Sequence, residues 1–253
     1  MYFSHAITRK PGVNFAAGIT TANLGEPDYG LILKQHAAYI AALRDLGLEV
    51  IILEPLDDFP DAYFVEDVAV VTAEVAVITY PGAQARQGEP AHIGTTLAAY
   101  RPLVHIRPPG TLEGGDVMQV EKRIFTGLTE RSNEYGITQL RELLKPYGYT
   151  VHSTPVPEGL HLKSSVNYIG QNTILVTPAF AGLPELAGFN KILIEEEEAY
   201  AANTLLVNER LITPKGFPHT RLKLERAGFE VIELDVSEVR KMDGGLSCMS
   251  LRF

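Results

Sequence analysis

Apolar and polar positions along the chain follow a repeated order of helix, glycine and strand. Residues Asp28–Leu46 place apolar side chains at helical spacing, with Asp28 in a capping position and Gly47 directly after the last turn. The next residues, Leu48–Leu53, form a short apolar run that is typical of a buried strand. This stretch therefore predicts a helix followed by a strand.

The same order recurs at four further places. A glycine again separates a helical run from a strand at Gly148 and at Gly228, and weaker cases begin at Leu97 and Glu185. The five junctions are on average about 45 residues apart, close to the length of one supersecondary unit. The pattern therefore predicts five repeated units.

Hairpin-like pairs of strands follow the first four junctions. They are predicted over Val65–Tyr80, Asp116–Gly127, Val166–Thr177 and Tyr200–Thr213. After the fifth junction only Asp243–Phe253 remains, so we expect this tail to pair with the N-terminal segment Phe3–Arg9. Two α/β architectures fit this order equally well: five ββαβ-like units around an axis, or an ordinary open sheet.

Length and composition favour one folded domain over residues 1–253. The chain is 45% hydrophobic and 21% charged, and no low-complexity stretch divides it. A net charge of −9 without a Lys/Arg-rich run argues against a nucleic-acid partner, but it leaves room for a cationic ligand. No apolar run reaches the length needed to cross a membrane, and the N-terminus lacks a signal-peptide pattern. We therefore expect a cytoplasmic protein.

The single cysteine, Cys248, is the first candidate for chemistry. A lone cysteine is most often a small buried apolar residue and cannot form an internal disulfide. However, it follows the pair Gly244-Gly245, which lets the backbone approach a ligand closely. A thiol nucleophile needs an acid or base partner. Among seven histidines, His161 is the best placed, because it lies at a loop-to-strand entry between two leucines.

Carboxylates cluster at two predicted strand entries. Asp61, Glu66 and Asp67 surround an aromatic segment, and Glu113 and Asp116 flank a glycine pair. Solvated loops usually explain such clusters, but a carboxylate within an apolar run is costly to bury without a cationic partner. A guanidinium matches two carboxylates well, because its planar N–H groups can bind both.

Arginines and metal ligands offer further options. Arg86 and Arg131 lie on loops after predicted strands, where an arginine can bind a carboxylate. A metal site formed by His161, Asp116 and Cys248 is a minor alternative, because the ligand spacing is not tight. The sequence contains no motif typical of nucleotide binding, a zinc protease or a serine hydrolase.

Several of these segments together resemble the dimethylarginine dimethylaminohydrolases, especially their bacterial members, within the guanidine-modifying (pentein) superfamily. The likeness rests on FPDAYFVEDVAV, GTLEGGD, TGLTERSN, LHLKSS and RKMDGGLSCMSLRF, with YAANTLLVNER adding to it. These segments follow the family's order and span nearly the whole chain. The resemblance implies a five-bladed, pseudo-symmetric α/β propeller of ββαβ units with the active site in the central channel. It implies no metal and no organic cofactor.

The resemblance also implies roles for individual residues. Cys248 corresponds to the nucleophile, His161 to the general acid and base, and Glu113 to the carboxylate that supports the histidine. Ile19 and Met242 correspond to positions that offer backbone carbonyls to the substrate.

Five further residues correspond to the binding site for a guanidino amino acid. Glu66 and Asp67 match the pair that holds the guanidinium, and Asp61 helps to hold the α-amino end. Arg86 and Arg131 match the clamp for the α-carboxylate.

The implied reaction is hydrolysis of asymmetric dimethylarginine or monomethylarginine to citrulline and di- or monomethylamine, through a thiouronium intermediate on Cys248. One alternative is an arginine deiminase-like hydrolase of unmethylated arginine or another guanidine, although 253 residues leave no room for the extra helical domain of those enzymes. A second is a non-catalytic arginine-binding module. The partner is expected to be a small molecule rather than a nucleic acid or a membrane, and a homodimer is one option.

Overall fold

Five three-stranded sheets form the framework of residues 2–253, which the computed structural model describes. In each sheet the central strand pairs antiparallel with one neighbour and parallel with the other. In four of the sheets the unit consists of a hairpin, a connection and a parallel strand, and in the remaining sheet the antiparallel pair joins the two ends of the chain. Five units therefore form, as the repeated junctions predicted.

The strands are short, and their bounds in chain order are as follows. They are β1 (His5–Arg9), β2 (Glu49–Leu53), β3 (Ala69–Val71), β4 (Ala76–Ile78), β5 (Leu103–His105), β6 (Val117–Val120), β7 (Arg123–Leu128), β8 (Thr150–Pro155), β9 (Val166–Gly170), β10 (Thr173–Val176), β11 (Asn190–Leu193), β12 (Leu205–Val207), β13 (Arg210–Pro214), β14 (Val231–Leu234) and β15 (Leu251–Arg252). The α-helices are α1 (Tyr29–Asp45), α2 (Gly94–Ala98), α3 (Glu134–Leu144), α4 (Pro218–Arg226) and α5 (Ser237–Arg240).

Helix α1 forms as its sequence pattern predicts. The Asp28 side chain accepts a hydrogen bond from the backbone N–H of Leu31, which satisfies a donor that the helix itself leaves unpaired. Tyr39 and Leu43 are fully buried on the inner side of the helix. Gly47 follows with a φ of +88°, the left-handed conformation that ends helices and favours glycine.

The five sheets close into a ring through the edge strands that pair antiparallel. Strand β15 contacts β3, β6 contacts β9, and β9 contacts β12. A bridge between Tyr80 and Leu112 joins the second sheet to the third. Asn208, after β12, bonds to backbone groups of Phe3 and Leu46 and so joins the fifth sheet to the first. The predicted arrangement around an axis is therefore confirmed, and the open sheet is wrong.

The predicted tail pairing is also confirmed. Strand β15 pairs antiparallel with β1, with Ala6 opposite Arg252 and Ile7 opposite Leu251. The C-terminal strand thus completes the sheet that the N-terminal strand begins. This closure places the preceding residues, including Cys248, at the same point of their unit as the segments before β3, β6 and β9.

Two predicted hairpins begin later than expected. Val65–Val68 is a 3₁₀ helix, and only Ala69–Val71 is a strand. Val65 and Val68 are buried in this 3₁₀ helix. A short apolar run is expected in a buried strand as well, so the pattern alone does not distinguish the two. Tyr200 likewise ends up in a 3₁₀ helix, Glu196–Ala202, ahead of β12.

The fourth connection is not the helix that the run from Glu185 predicted. It contains two short 3₁₀ turns, Pro178–Phe180 and Pro184–Leu186, each with a proline at its start. Proline lacks a backbone N–H donor, so it suits the start of a turn better than the interior of a helix. Across residues 2–253, none of the helices combines the length and the apolar character that a membrane crossing requires.

Candidate active site

Equivalent segments of neighbouring units carry the predicted catalytic residues. Glu66 and Asp67 lie in the 3₁₀ helix before β3, Glu113 lies just before a 3₁₀ turn that precedes β6, and His161 does the same before β9. These turns contact one another around the ring. Cys248 takes the corresponding place before β15. The ring therefore brings together residues that are far apart in the chain.

One cleft is lined by eight of the ten residues to which the family resemblance implied a role. They are Ile19, Asp61, Asp67, Arg86, Arg131, His161, Met242 and Cys248. The remaining two, Glu66 and Glu113, are buried and contact residues of the same cleft. A second pocket shares His161 and Cys248 with the first, so these two side chains lie between the two spaces.

His161 and Glu113 form a buried pair. Nε2 of His161 lies 2.8 Å from Oε2 of Glu113, whose side chain is inaccessible to solvent. The other carboxylate oxygen, Oε1, accepts the backbone N–H of Ala83 at 3.1 Å and Nη1 of Arg131 at 3.4 Å. Glu113 is thus fixed from both sides, and it orients the imidazole.

The carboxylates around His161 favour its protonated form. Burial disfavours the imidazolium, but the charge of Asp67 and the hydrogen bond to Glu113, together with the charge of Asp116, outweigh it and raise the pKa of His161 to about 9. The pKa of Glu113 is lowered, because the bond to His161 overcomes the effect of burial. At neutral pH the pair is therefore an imidazolium and a carboxylate.

Cys248 lies in a tightly held segment. The backbone carbonyl of Cys248 accepts the N–H of Glu66 at 3.2 Å. The preceding residue, Ser247, donates its backbone N–H to Oδ1 of Asn203 at 3.0 Å. Burial raises the pKa of the Cys248 thiol to about 12, and the charges of Glu66 and Asp67 act in the same direction. Without a bound cation, the thiol therefore keeps its proton.

The glycine pair before Cys248 lets the backbone pack closely against neighbouring side chains as well as line a pocket. A Cβ at Gly244 would clash with the ring of Phe64, and a Cβ at Gly245 would clash with Asn203. Both glycines also line the second pocket. The sequence analysis explained these glycines only by a close approach to a ligand. Packing against Phe64 and Asn203 is a second reason for glycine at both positions.

Asp67 is an ionised carboxylate at the side of the cleft. Its Oδ2 accepts Nη1 of Arg86 at 2.6 Å, and its Oδ1 accepts the backbone N–H of Gly115 at 2.8 Å. Burial opposes ionisation, but Arg86 and His161 outweigh it and lower the pKa of Asp67 to about 2. Asp67 therefore offers negative charge to the cleft at any pH near neutrality.

Arg86 is buried and has several protein partners. Besides Asp67, it donates to Glu89 at 2.8 Å and to the backbone carbonyls of Asp61 and Phe64. The sequence analysis did not single out Glu89, whose pKa burial raises to about 7. Its spacing of three residues from Arg86 is the signal that could have found it.

Glu66 and Asp67 are neighbours in the chain, yet they have different partners. Oε1 of Glu66 accepts Nζ of Lys163 at 2.6 Å and Nη2 of Arg252 at 3.0 Å. Its Oε2 is buried, with no hydrogen-bond partner among residues 2–253. Lys163 and Arg252 lie in the segments LHLKSS and SLRF, but the sequence analysis assigned them no role.

The remaining binding candidates surround the same cleft. Both carboxylate oxygens of Asp61 accept the backbone N–H of Ile19 at 3.1 Å, so Asp61 fixes the loop that carries Ile19. Arg131 has a side chain that is 16% exposed and reaches Glu113. Met242 is buried at the cleft wall.

Asp67, Glu113 and His161 are also close enough together to suggest metal ligands. Each offers one atom, and these atoms lie within 4.8 Å of one another. However, Arg86 and Gly115 already bind Asp67, and Glu113 already binds His161. This hydrogen-bonded network accounts for the closeness of the three side chains.

Comparisons with known proteins point to one family. The sequence model described as N,N dimethylarginine dimethylhydrolase, eukaryotic, matches residues 29–181. A Pseudomonas aeruginosa protein named N(G),N(G)-dimethylarginine dimethylaminohydrolase is 44% identical and covers 99% of this chain and 100% of its own. A Streptomyces coelicolor protein of the same name is 36% identical and covers 98% and 96%.

Solved structures agree with the sequence comparisons. The Pseudomonas aeruginosa enzyme, as a cysteine-to-serine variant complexed with citrulline, has a TM-score of 0.98 at 43% identity over the whole of both chains. A dimethylarginine dimethylaminohydrolase adduct with S-methyl-L-thiocitrulline has a TM-score of 0.97 at 43% identity, covering 99% of this chain and 100% of that one. The N-terminal domain of ArgZ, an arginine dihydrolase, has a TM-score of 0.87 at 19% identity, which concerns the fold alone.

The ring of five α/β units is the fold of the guanidine-modifying enzymes, and the predicted five-bladed fold is confirmed. Within this class, the chain belongs to the dimethylarginine dimethylaminohydrolase family.

Proposed function

We propose that this protein hydrolyses asymmetric dimethylarginine and monomethylarginine to citrulline and di- or monomethylamine, with Cys248 as the nucleophile. The observation that supports this most strongly is the grouping of Cys248, His161 and the ionised Asp67 around one cleft. The names of the relatives and the citrulline and S-methyl-L-thiocitrulline bound to similar structures support the substrate class.

The carboxylates would bind the guanidinium of the substrate. Asp67 is ionised, and Glu66 has one buried oxygen without a partner, which can accept an N–H donor. A buried carboxylate oxygen left without a donor is unfavourable, so a guanidinium that fills this place gains binding free energy. The cation would lie between these carboxylates and Cys248.

The bound cation would also activate the thiol. Glu66 and Asp67 help to raise the pKa of Cys248 to about 12, so a guanidinium that neutralises them lowers this pKa. The imidazolium of His161 acts in the same direction. The thiolate therefore forms when the substrate binds and remains scarce in the free enzyme.

The reaction would then take two steps. The thiolate forms a bond to the guanidinium carbon, and the bond to the methylated nitrogen breaks as His161 gives that nitrogen its proton. The amine leaves neutral, and a thiouronium remains on Cys248. The neutral imidazole takes a proton from water, which attacks the same carbon. The carbon–sulfur bond breaks with its electron pair left on sulfur, the remaining hydroxyl proton passes to the thiolate, and citrulline is released.

The rest of the cleft would hold the amino-acid end of the substrate. Arg131 and Arg86 are the candidates for the α-carboxylate, because both residues line the cleft and an arginine can bind a carboxylate. Asp61 would hold the α-amino group, together with the backbone carbonyls of Ile19 and Met242.

A citrulline assay tests this function. Purified protein is incubated with asymmetric dimethylarginine, monomethylarginine or arginine, and each reaction is repeated with Cys248→Ser. We expect citrulline from the methylated substrates with the unchanged protein and none with the variant. A clear preference for arginine would replace the proposal with a deiminase activity. No turnover of any substrate by folded protein would reject hydrolysis of these arginines.

A further inference from the structure

Asp116 is a fully buried carboxylate that has no part in the reaction steps above. Its Oδ1 accepts the backbone N–H of Leu162 at 3.0 Å. Its Oδ2 accepts the hydroxyls of Ser132 at 2.6 Å and Thr129 at 2.8 Å. Three donors from two separate segments therefore converge on one carboxylate.

These hydrogen bonds connect Asp116 to both members of the His161–Glu113 pair. Leu162 directly follows His161, so its N–H fixes the peptide next to the histidine. On the other side, the Ser132 hydroxyl that donates to Asp116 also accepts the backbone N–H of Glu113 at 3.0 Å. One side chain thus connects the backbone at the histidine to the backbone at the glutamate.

The packing around Asp116 leaves little room for movement. Gly127 on β7 lies against it, and a Cβ there would be 2.7 Å from Oδ1 of Asp116 and 3.0 Å from Cβ of Leu162. The backbone of β7 therefore packs closely against both the Asp116 carboxylate and Leu162. Side chains enclosed in this way keep a single geometry.

The charge of Asp116 also acts on His161. Burial raises the pKa of Asp116, whereas the imidazolium of His161 and the hydrogen bonds from Ser132 and Leu162 oppose this rise. The N–H of Leu162 can only donate, which suits an acceptor oxygen of the ionised form. In turn, the carboxylate charges of Asp67, Glu113 and Asp116 all favour the imidazolium.

We propose that Asp116 is a positioning residue for the proposed hydrolysis. It fixes the relative positions of His161 and Glu113 through Leu162 and Ser132, and its charge favours the protonated imidazole. The catalytic part of this inference rests on the proposed function, whereas the hydrogen bonds of Asp116 do not depend on that function.

The main variant is Asp116→Asn, which keeps the size of the side chain but removes its charge and one acceptor. With asymmetric dimethylarginine we expect kcat to fall about 10- to 100-fold, because a misplaced acid transfers its proton poorly. KM should change little, because Asp116 does not line the cleft. Ser132→Ala removes one hydrogen bond to Asp116 and the link to Glu113, but it keeps the contact between Asp116 and Leu162. It should therefore lower kcat less, also with little change in KM.

Thr126→Val is the matched control. Thr126 lies in β7 next to Gly127, is fully buried, and its hydroxyl has no hydrogen-bond partner within residues 2–253. Its replacement perturbs the same strand without touching the network, so kcat and KM should stay as in the unchanged protein. An equal loss of kcat in this control would assign the effect of Asp116 to general packing and overturn the proposal.

Histidine NMR provides a readout that does not need activity. The resonance of His161 is assigned from its absence in His161→Gln, and its titration is followed in the unchanged protein and in the variants. Asp116→Asn should lower the pH at which His161 titrates and leave the other histidines unchanged. The proposal is overturned if folded Asp116→Asn keeps both its kcat and its His161 titration.

Two further outcomes are decisive. If Asp116→Asn does not fold, Ser132→Ala carries the test, and an unchanged kcat in that variant rejects the link to Glu113. If the unchanged protein makes no citrulline but Asp116→Asn still shifts the His161 titration, the proposed function fails and the structural role of Asp116 stands.

Discussion

Nη1 of Arg86 lies 2.6 Å from Oδ2 of Asp67, and both side chains are buried. The residue expected to hold the α-carboxylate of the substrate therefore also holds a residue expected to bind its guanidinium. The two ends of the binding site are coupled through this ion pair. Arg86 and Arg131, which share one predicted role, should consequently respond differently to substitution.

Arg86→Ala should destabilise the fold. Removing one partner of a buried ion pair leaves the other charge uncompensated, which typically costs about 3–5 kcal/mol. We expect a loss of this size in the free energy of unfolding measured with urea. Arg131→Ala is the control, because Arg131 is partly exposed and should change stability much less. Equal stability of Arg86→Ala and the unchanged protein would contradict the coupling.

Arg131→Ala should weaken binding of the amino-acid end. Losing a charged hydrogen bond to the α-carboxylate costs about 1.5–3 kcal/mol, or roughly a 10- to 150-fold rise in KM. Inhibition by arginine should weaken to a similar extent, whereas inhibition by its decarboxylated analogue should change little. If both inhibitors weaken equally, Arg131 does not bind the carboxylate.

His161 should titrate far above the usual range of histidine. Its pKa is raised to about 9, compared with about 6.5 in an unfolded chain. The protonated pair therefore stabilises the folded state fully below about pH 6.5, and this contribution is lost as the pH rises through about 9. Unfolding experiments from pH 6 to 10 should show this loss, and His161→Gln should lack it. A histidine that titrates near pH 6.5 would refute the assignment.

Cys248 should react slowly with alkylating reagents in the free enzyme. Because its pKa is raised to about 12, the thiolate fraction is small at neutral pH and still increases beyond pH 9. Labelling by iodoacetamide should therefore accelerate throughout this range. The chain has 1 cysteine, so Cys248→Ser provides a blank without labelling. A labelling rate that levels off near pH 7 would show a thiolate that is already formed.

Local signals in the sequence predicted the repeated units well. Asp28 and Gly47 mark the ends of α1 because capping and left-handed backbone geometry depend on neighbouring residues. The pairing of the tail with Phe3–Arg9 followed from counting units, since the fifth unit lacked a hairpin of its own. By contrast, Val65–Val68 forms a 3₁₀ helix, because contacts elsewhere in the fold decide the conformation of a short apolar run.

The residue pattern singled out most of the cleft residues and the family resemblance implied their roles, whereas most of their hydrogen-bond partners came only from the structure. Glu66 and Arg252 are separated by 186 positions, and no local pattern relates them. Glu198 ends the acidic run Glu195–Glu198, and it is buried and accepts the N–H groups of His219 and Thr220. Such contacts depend on how the ring closes, which short-range spacing does not encode.

Intact-protein mass spectrometry of an acid-quenched reaction tests the covalent mechanism most directly. During turnover of asymmetric dimethylarginine, we predict an added mass equal to one citrulline less one water, located on the peptide that contains Cys248. His161→Gln should lower or abolish the amount of this adduct, because the leaving amine loses its proton donor. Steady citrulline formation without any adduct, or by Cys248→Ser at the same rate, would contradict the account.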